Sequence, residues 1–276
     1  KTLMKNRGSF TTEDKSGSNL HFGVRELAMA AIGNGLALHG GLIPYVSTFF
    51  VFSDYMKPCM RLSALMRLPV IYVLTHDSIG VGEDGPTHQP IEQLASLRSI
   101  PNMTVFRPAD TRETVAGWVA ALGRKTSPTA LVLTRQNLPQ LAGTGKDAGK
   151  GAYVLLDSEK IDILLMASGS EVQLVLEAGK RLVEKGVGVR VVSMPSWELF
   201  EEQPKAYRDS VLPNTIRTRL AVEAGASFGW HRYVGLDGDI IARDTFGASA
   251  PAEKLFEAYG FTVENVLAHA EKLLAR

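Results

Sequence analysis

Cysteine is almost missing from this sequence, and so are long apolar runs. Cys59 is the only cysteine among 276 residues, so no disulfide can form within the chain. A chain without disulfides is compatible with a reducing cytoplasm, which is where we expect it. No apolar run reaches the roughly 18–20 residues that cross a membrane, and the first residues do not have the pattern of a signal peptide. We therefore expect no membrane partner.

Net charge and glycine-rich nucleotide motifs are also nearly absent. The chain has 30 basic and 29 acidic side chains and a formal charge of +1, which argues against nucleic acid as a partner. Neither a P-loop nor a dinucleotide-binding glycine fingerprint occurs. Hydrophobic residues at 45% and charged residues at 21% are typical of a globular chain. The length is sufficient for two ordinary domains.

Strands alternate with helices in the first half, after 19 polar residues that we expect to form a surface loop. The predicted strands are residues 43–50, 69–75, 103–107 and 129–134, and the predicted helices are 24–39, 52–66, 91–99 and 110–122. Asp110 is a suitable N-cap for the last of these helices. The apolar positions of the first two helices are Leu27, Ala31 and Leu36, and Tyr55, Cys59, Leu62 and Met66.

A second alternating half follows residues 140–151, a glycine-rich segment that is typical of a linker. Its predicted strands are residues 152–156, 161–167, 187–193 and 219–223, and its predicted helices are 171–185, 252–259 and 262–274. Ser168 or Ser170 could cap the first of these helices. Alternation of this kind implies parallel crossovers. We predict an α/β fold of two doubly wound, mainly parallel-sheet domains, residues 1–140 and 141–276.

The most distinctive stretch is a polar loop, residues 75–92, with the sequence THDSIGVGEDGPTHQPIE. It follows a predicted buried strand, and ligands of open α/β sheets bind at the carboxyl ends of strands. Its three glycines permit unusual backbone angles and close approaches. We therefore expect His76, Asp84 and His88 to converge on a binding site. A merely solvated surface loop is the alternative, and a metal site is disfavoured because the spacing matches no standard zinc pattern.

Three further groups of residues are candidates for a site. Glu26 lies in the first turn of a predicted helix, where a carboxylate commonly just complements the helix dipole. Phe49, Phe52 and Tyr55 surround a strand-to-helix junction; such aromatic residues are usually core, but here they could line a pocket for a flat heteroaromatic ring. Arg135 ends a predicted strand and could bind a phosphate through its guanidinium fork, or form an ordinary surface salt bridge.

A competing motif lies in the second half. Residues 225–229, GASFG, match the G-x-S-x-G nucleophile elbow, with Ser227 as the nucleophile. Asp237 or Asp244 and then His269 follow in the order of an α/β hydrolase. His269 lies in a regular amphipathic pattern rather than in a loop, and short glycine–serine patterns are common by chance. The hydrolase is therefore the less favoured interpretation.

Several segments together resemble the transketolase family. They are FGVRE (22–26), STFFVF (47–52), the polar loop, FRPAD (106–110), TRQNLP (134–139), MPSWELFEEQPKAYRDSVLP (194–213) and FGASAPAEKLFEAYGFT (246–262). The resemblance runs in order from about residue 21 to the end of the chain. It implies a pyrimidine-binding domain that lacks its start, followed by the family's C-terminal domain. Another thiamine-diphosphate synthase subunit and a non-catalytic assembly module are the alternatives.

The resemblance implies a transferase of the pentose phosphate pathway. Transketolases move a two-carbon ketol unit from a ketose phosphate to an aldose phosphate through the ylid of thiamine diphosphate, with Mg2+ as the second cofactor. Glu26 matches the glutamate that hydrogen-bonds the pyrimidine ring nitrogen. The family's aromatic pocket corresponds to Phe49, Phe52 and Tyr55, its sugar-binding residues to His76, Asp84 and His88, and a substrate-phosphate ligand to Arg135. Glu26, His76 and His88 are the expected catalytic residues.

One departure from the family affects the expected partners. The family's Gly-Asp-Gly motif, which binds the diphosphate and the metal, does not occur in these 276 residues. The resemblance therefore implies a fragment, or one subunit of a split enzyme, that is inactive alone. It also implies an exposed surface for an N-terminal diphosphate-binding domain or subunit, within a homodimer or a heterotetramer.

Overall fold

Two mainly parallel β-sheets organise the chain, and the computed structural model describes residues 2–276 of it. The first sheet has the order β1-β2-β4-β3, and all its neighbouring strands are parallel. Its strands are β1 (Tyr45–Phe49), β2 (Ile71–Thr75), β3 (Thr104–Phe106) and β4 (Thr129–Leu133). Strands β2, β3 and β4 are almost fully buried, as expected for a parallel sheet covered on both faces, whereas the edge strand β1 is mostly only partly buried.

The second sheet has the order β5-β7-β6-β8-β9, in which only the β5–β7 pair is antiparallel. Its strands are β5 (Tyr153–Asp157), β6 (Ile163–Ala167), β7 (Val189–Ser193), β8 (Arg219–Val222) and β9 (Asp239–Ile241). Apolar clusters line both faces of each sheet. The predicted α/β class, with two mainly parallel sheets, is therefore confirmed.

The helices connect the parallel strands, as crossovers must. In the first domain they are α1 (Glu26–His39), α2 (Ser53–Leu65), α3 (Gln93–Arg98) and α4 (Thr111–Gly123). In the second they are α5 (Val172–Glu184), α6 (Trp197–Glu201), α7 (Lys205–Val211), α8 (His231–Val234), α9 (Ala252–Ala258) and α10 (Val263–Leu274). No helix within residues 2–276 is both long and apolar enough to cross a membrane.

The helix caps were predicted with mixed success. Asp110 caps α4, since its carboxylate accepts a hydrogen bond from the backbone N–H of Glu113 at 3.0 Å. The prediction that Ser168 or Ser170 caps α5 is wrong. A 3-10 turn, Gly169–Glu171, precedes the helix, and both serine hydroxyls donate to carboxylates instead.

The apolar face predicted for α1 is also wrong. Leu27 and Ala31 are exposed and Leu36 is only partly buried, while the small residues Ala30 and Gly33 are buried. A Cβ on Gly33 would lie 3.0 Å from the side chain of Val46, so the helix approaches the sheet through its smallest side chains. On α2, the predicted positions Tyr55, Leu62 and Met66 are likewise exposed, and only Cys59 is buried.

The two domains share apolar cores rather than meeting through a thin contact. Ile79 and Ile91, from the polar loop, pack in the same cluster as Val172 of α5 and Leu255 of α9. The linker does not separate them either, because Thr144 donates to the carboxylate of Asp110. The polar loop is therefore positioned by both domains.

Candidate active site

The carboxyl edge of the first sheet brings the predicted site segments together. Phe49 of β1 is in register with Thr75 of β2, which is in register with Leu133 of β4. Since the three strands are parallel, the residues that follow them leave at the same edge. The aromatic run after β1, the polar loop after β2 and Arg135 after β4 are therefore neighbours.

Three aromatic rings and two imidazoles form a continuous cluster at this edge. The ring of His76 stacks on Phe49 with centroids 3.6 Å apart and planes inclined by 20°. Phe49 and Phe52 are nearly parallel, with centroids 6.1 Å apart. Tyr55 and His88 complete the cluster around Phe52, at 6.1 and 5.3 Å. The three predicted pocket aromatics and both loop histidines are thus assembled in one place.

These aromatics are not core side chains. Phe49 and Phe52 are only partly buried, and Tyr55 is 66% exposed, whereas the intervening Phe50 is completely buried. Phe50 therefore anchors the junction in the core while its neighbours face outward. Partly exposed rings arranged in parallel offer a slot for a flat heterocycle.

The backbone of the polar loop is unusual at several positions. His76 has a φ of +65°, in the left-handed region that non-glycine residues occupy only occasionally. Its Nδ1 lies 2.9 Å from the hydroxyl of Thr75, at the end of β2. Gly82 also has a positive φ, as the sequence predicted. A Cβ on Gly80 would lie 2.6 Å from the amide oxygen of Gln136, so the loop packs closely on the segment after β4.

Three charged side chains of the predicted site have no partner within residues 2–276. Glu26 is half-buried in the first turn of α1, and Asp84 and Arg135 are exposed. None of the three side chains makes a hydrogen bond or an ion pair with the described residues. The start of α1 does lie beside α2, since the thiol of Cys59 contacts the carbonyl oxygen of Leu27 at 3.6 Å. These three charges are available to a ligand.

The loop is joined to the second domain through Arg107, which forms buried ion pairs with Asp77 of the loop and with Glu171 of the second domain. Asp77, next to His76, is 1% exposed and accepts a hydrogen bond from Nε of Arg107 at 2.8 Å. The same guanidinium donates to the carbonyl oxygen of Ser168 at 2.8 Å and to the carboxylate of Glu171. Glu171 and Asp77 hold the pKa of this fully buried arginine above its ordinary value, although burial opposes the charge.

A second buried arginine lies beside the first. Arg98 donates two hydrogen bonds to Glu223, at 2.7 and 2.8 Å, and its guanidinium stacks on Trp197 at 3.8 Å. Burial alone would raise the pKa of Glu223, but Arg98, with a further contribution from Arg107, lowers it to about 2. The indole N–H of Trp230 also donates to this carboxylate at 2.8 Å. Charges of both domains are thus paired away from water.

The hydrolase motif is not assembled. The backbone N–H of Ser227 donates to Asp244, whereas Nδ1 of His269 lies 2.8 Å from Asp239. The serine and the histidine therefore have different acidic partners, and neither pairing gives a nucleophile next to its base. Within residues 2–276, no three His, Cys, Asp or Glu side chains are grouped to hold a metal ion.

Comparison with known proteins decides the family. The model of the transketolase pyrimidine-binding domain matches residues 3–140, and that of the transketolase-like C-terminal domain matches residues 151–262. The chain belongs to the transketolase family. It is 57% identical, over its whole length, to the transketolase of Geobacillus stearothermophilus, of which it covers 42%. The resemblance seen in the sequence is thereby confirmed.

Solved transketolase structures have the same fold. A Pichia stipitis transketolase described as a complex with sedoheptulose 7-phosphate is 43% identical and superposes with a TM-score of 0.95, over 99% of this chain and 41% of that one. A split-gene transketolase, described as an inactive β4 tetramer, is 26% identical with a TM-score of 0.77, over 91% of this chain and 82% of that one. The chain spans less than half the length of the curated transketolases it matches.

The transketolase family implies thiamine diphosphate, and the site offers features that fit its aminopyrimidine half. The parallel rings of Phe49 and Phe52 provide apolar faces for a heterocycle. Glu26 provides a half-buried carboxylate that has no partner within residues 2–276. A carboxyl group can donate or accept a proton at a ring nitrogen. The residues present therefore fit the pyrimidine of the cofactor.

Sequence reasoning missed the residues that join the loop to the second domain. Arg107 belongs to the transketolase-like motif FRPAD, but no role was predicted for it, and Asp77 was passed over between the loop histidine and the glycines. A charged residue at the end of a predicted strand was the available signal. Its partner Glu171 lies 64 positions away, and periodicity cannot reveal such a pair.

Proposed function

We propose that this chain is the part of a transketolase that binds the aminopyrimidine of thiamine diphosphate and the sugar portion of the substrates. The reaction is the transfer of a two-carbon ketol unit from a ketose phosphate to an aldose phosphate, in the pentose phosphate pathway. The observation that carries the proposal is the cluster in which His76 and His88 lie against Phe49 and Phe52. It unites an apolar slot for the cofactor with imidazoles for sugar hydroxyls.

Each residue has a role that suits its chemistry. Phe52, with Phe49 and Tyr55, contacts the flat ring, and Glu26 holds a proton at the ring nitrogen. His76, Asp84 and His88 bind sugar hydroxyls, since imidazole and carboxylate groups complement hydroxyl donors and acceptors. Arg135 binds the substrate phosphate through its guanidinium fork. Thiamine diphosphate, when bound, supplies the nucleophilic carbon that carries the two-carbon unit.

The catalytic assembly needs more polypeptide than these 276 residues. A domain or subunit that binds the diphosphate and Mg2+ completes the site, within a homodimer or a heterotetramer in the cytoplasm. The uncovered apolar side chains of α1 support such a partner, because Leu27 and Leu38 are both more than half exposed. The split-gene transketolase, inactive as a β4 tetramer, shows that a comparable part can exist as a separate chain. We further propose that the domains here are residues 1–140 and 141–276.

Reconstitution tests the proposal. The chain is mixed with a purified transketolase diphosphate-binding domain, thiamine diphosphate and Mg2+, and ketol transfer from xylulose 5-phosphate to ribose 5-phosphate is followed. We expect transfer only with all components, and loss of transfer in the Glu26→Ala variant. Full activity of that variant, or no transfer in an assembled complex, would overturn the assignment. Cleavage of an activated ester that is lost in Ser227→Ala would favour the hydrolase instead.

A further inference from the structure

Each histidine of the polar loop is followed directly by a buried polar residue. Asp77 follows His76 and is 1% exposed, and Gln89 follows His88 and is 2% exposed. The histidines themselves are only partly buried, in the aromatic cluster. The loop therefore alternates, at both of its ends, between a side chain directed to the site and one directed into the protein. The buried residue of each pair constrains the backbone of its neighbour.

The second domain holds the first of these buried residues through Arg107. The guanidinium donates to Asp77 on one side, and on the other to the carbonyl oxygen of Ser168 and to Glu171. A Cβ on Gly169 would lie 2.5 Å from the central carbon of this guanidinium, so only glycine leaves room for it there. These contacts form what we call the Asp77 anchor.

The second domain holds the other buried residue directly. The amide nitrogen of Gln89 donates to the carbonyl oxygens of Gly82 at 2.8 Å and Ala248 at 2.9 Å. A Cβ on Gly247 would lie 1.7 Å from the amide oxygen of Gln89, so here too a glycine leaves room for the side chain. The hydroxyl of Ser249 adds a hydrogen bond to the carbonyl oxygen of Glu83 at 2.5 Å. These contacts form the Gln89 anchor.

We propose that the C-terminal domain positions the two loop histidines through these anchors, with Asp77, Arg107 and Gln89 as positioning residues. The left-handed backbone of His76 is a conformation that persists only when surrounding structure enforces it. Thr75, which precedes His76, is held in β2, and Asp77, which follows His76, is held by the Asp77 anchor. This assigns the C-terminal domain a part in substrate recognition, and the inference rests on the proposed function of His76 and His88.

Three variants separate the anchors from a general structural role. Asp77→Asn removes the charge that pairs with Arg107, and Gln89→Met removes both amide hydrogen bonds at similar volume. The matched control is Glu202→Gln, because Glu202 accepts two hydrogen bonds from Arg124 across the same domain boundary, at 2.9 and 2.7 Å, but away from the loop. Thermal unfolding verifies that each variant is folded.

The first measurement uses the 276-residue chain alone, labelled at its six histidines, and records their ring signals by NMR. Stacking on Phe49 displaces the signals of His76 by ring current. We expect Asp77→Asn to reduce that displacement, Gln89→Met to move the signals of His88, and Glu202→Gln to move neither. Unchanged His76 and His88 signals in folded variants would overturn the proposal. So would equal movement of all six histidines in every variant.

The second measurement uses the assembled enzyme. Displacement of a substrate-binding group by about 1 Å can cost roughly a hundredfold in rate, so we expect Asp77→Asn and Gln89→Met to lower kcat/KM by about tenfold to a hundredfold, mainly through KM. Glu202→Gln should retain the wild-type values. Wild-type KM values in both anchor variants would contradict the proposal. If the wild-type assembly itself shows no transfer, the proposed function fails, and the NMR result still decides whether the anchors exist.

Discussion

The two domains have related folds but very different surfaces. Among the described residues, 17 large hydrophobic side chains of the first domain are exposed, against four in the second. In the first domain they include Leu27, Ile32 and Leu38 of α1 and Leu62 and Leu65 of α2. Exposed apolar patches on this scale mark surfaces that another protein covers. The second domain buries most of its large apolar side chains within the chain.

This difference in surface indicates that the two domains have different roles. The first domain presents the aromatic cluster and three charges that have no partner within residues 2–276. This is the surface that, under the proposed function, a ligand and another polypeptide complete. The second domain contributes fully paired charges, such as Glu171 and Glu223, that face the first domain. In the proposed account, the first domain supplies the groups that contact cofactor and substrate, and the second domain holds them in position.

The largest expected effect is at Glu26. If the first domain supplies the chemistry, Glu26→Ala should lower the turnover of the reconstituted enzyme by about a hundredfold or more, the scale of a lost proton-transfer group. The matched change is Glu264→Ala, since Glu264 also lies in the first turn of its helix but belongs to α10. Steady-state kinetics of both variants, with saturating cofactor, test the comparison. Equal losses in the two variants would contradict it.

The next effect is on stability and concerns the paired charges. Glu223→Gln leaves Arg98 without its carboxylate, at a position where both side chains are almost inaccessible to water. Removing one partner of a buried ion pair costs roughly 3–5 kcal/mol, so the free energy of unfolding in urea should fall by that amount. The exposed pair gives the control: Glu202→Gln should cost less than about 1 kcal/mol. A neutral effect at Glu223 would show that the second domain does not depend on this pair.

Acid should weaken the same pair. The pKa of Glu223 falls on folding from its ordinary value of 4.5 to about 2, so its charge stabilises the folded state above pH 4.5. That contribution, about 3 kcal/mol, is lost progressively as the pH falls from 4.5 toward 2. The difference in unfolding free energy between wild type and Glu223→Gln should therefore shrink between pH 5 and pH 3. A difference that stays constant over this range would refute the assignment.

The smallest effect on folding is expected at the apolar surface. Leu27→Ser alters a residue that is 52% exposed, so the free energy of unfolding should change by less than about 0.5 kcal/mol. Association with the diphosphate-binding partner should nevertheless weaken by about tenfold, because truncation of an interface side chain commonly costs 1 kcal/mol or more. Val183→Ser, which alters a residue of α5 that is 42% exposed, should change neither quantity. Affinity is measured by titration of the partner.

Much of this architecture follows from local sequence, and the rest from contacts that local sequence does not contain. The run PVIYVL predicts the strand β2, and the polar sequence after it predicts that His76 and His88 belong to a binding site. The orientation of α1 was not predictable in the same way, because Ala30 and Gly33 pack by being small rather than by being apolar.

Contacts between residues that are far apart in the sequence could not be predicted. Arg98 and Glu223 are 125 positions apart, and neither residue type is normally expected in a core. Short elements were missed for a related reason: α6, α7, α8 and β9 have seven residues or fewer, too few for a clear period. Long, periodic elements and strand-end loops were predictable, whereas the charges that join the domains were not.

The most direct test of the account is a crystal structure of the assembled enzyme with thiamine diphosphate bound. The account predicts that the carboxyl group of Glu26 lies within hydrogen-bond distance of a pyrimidine ring nitrogen, and that the ring occupies the slot beside Phe52. A Glu26 carboxylate directed to bulk water, with the pyrimidine held elsewhere, would contradict it.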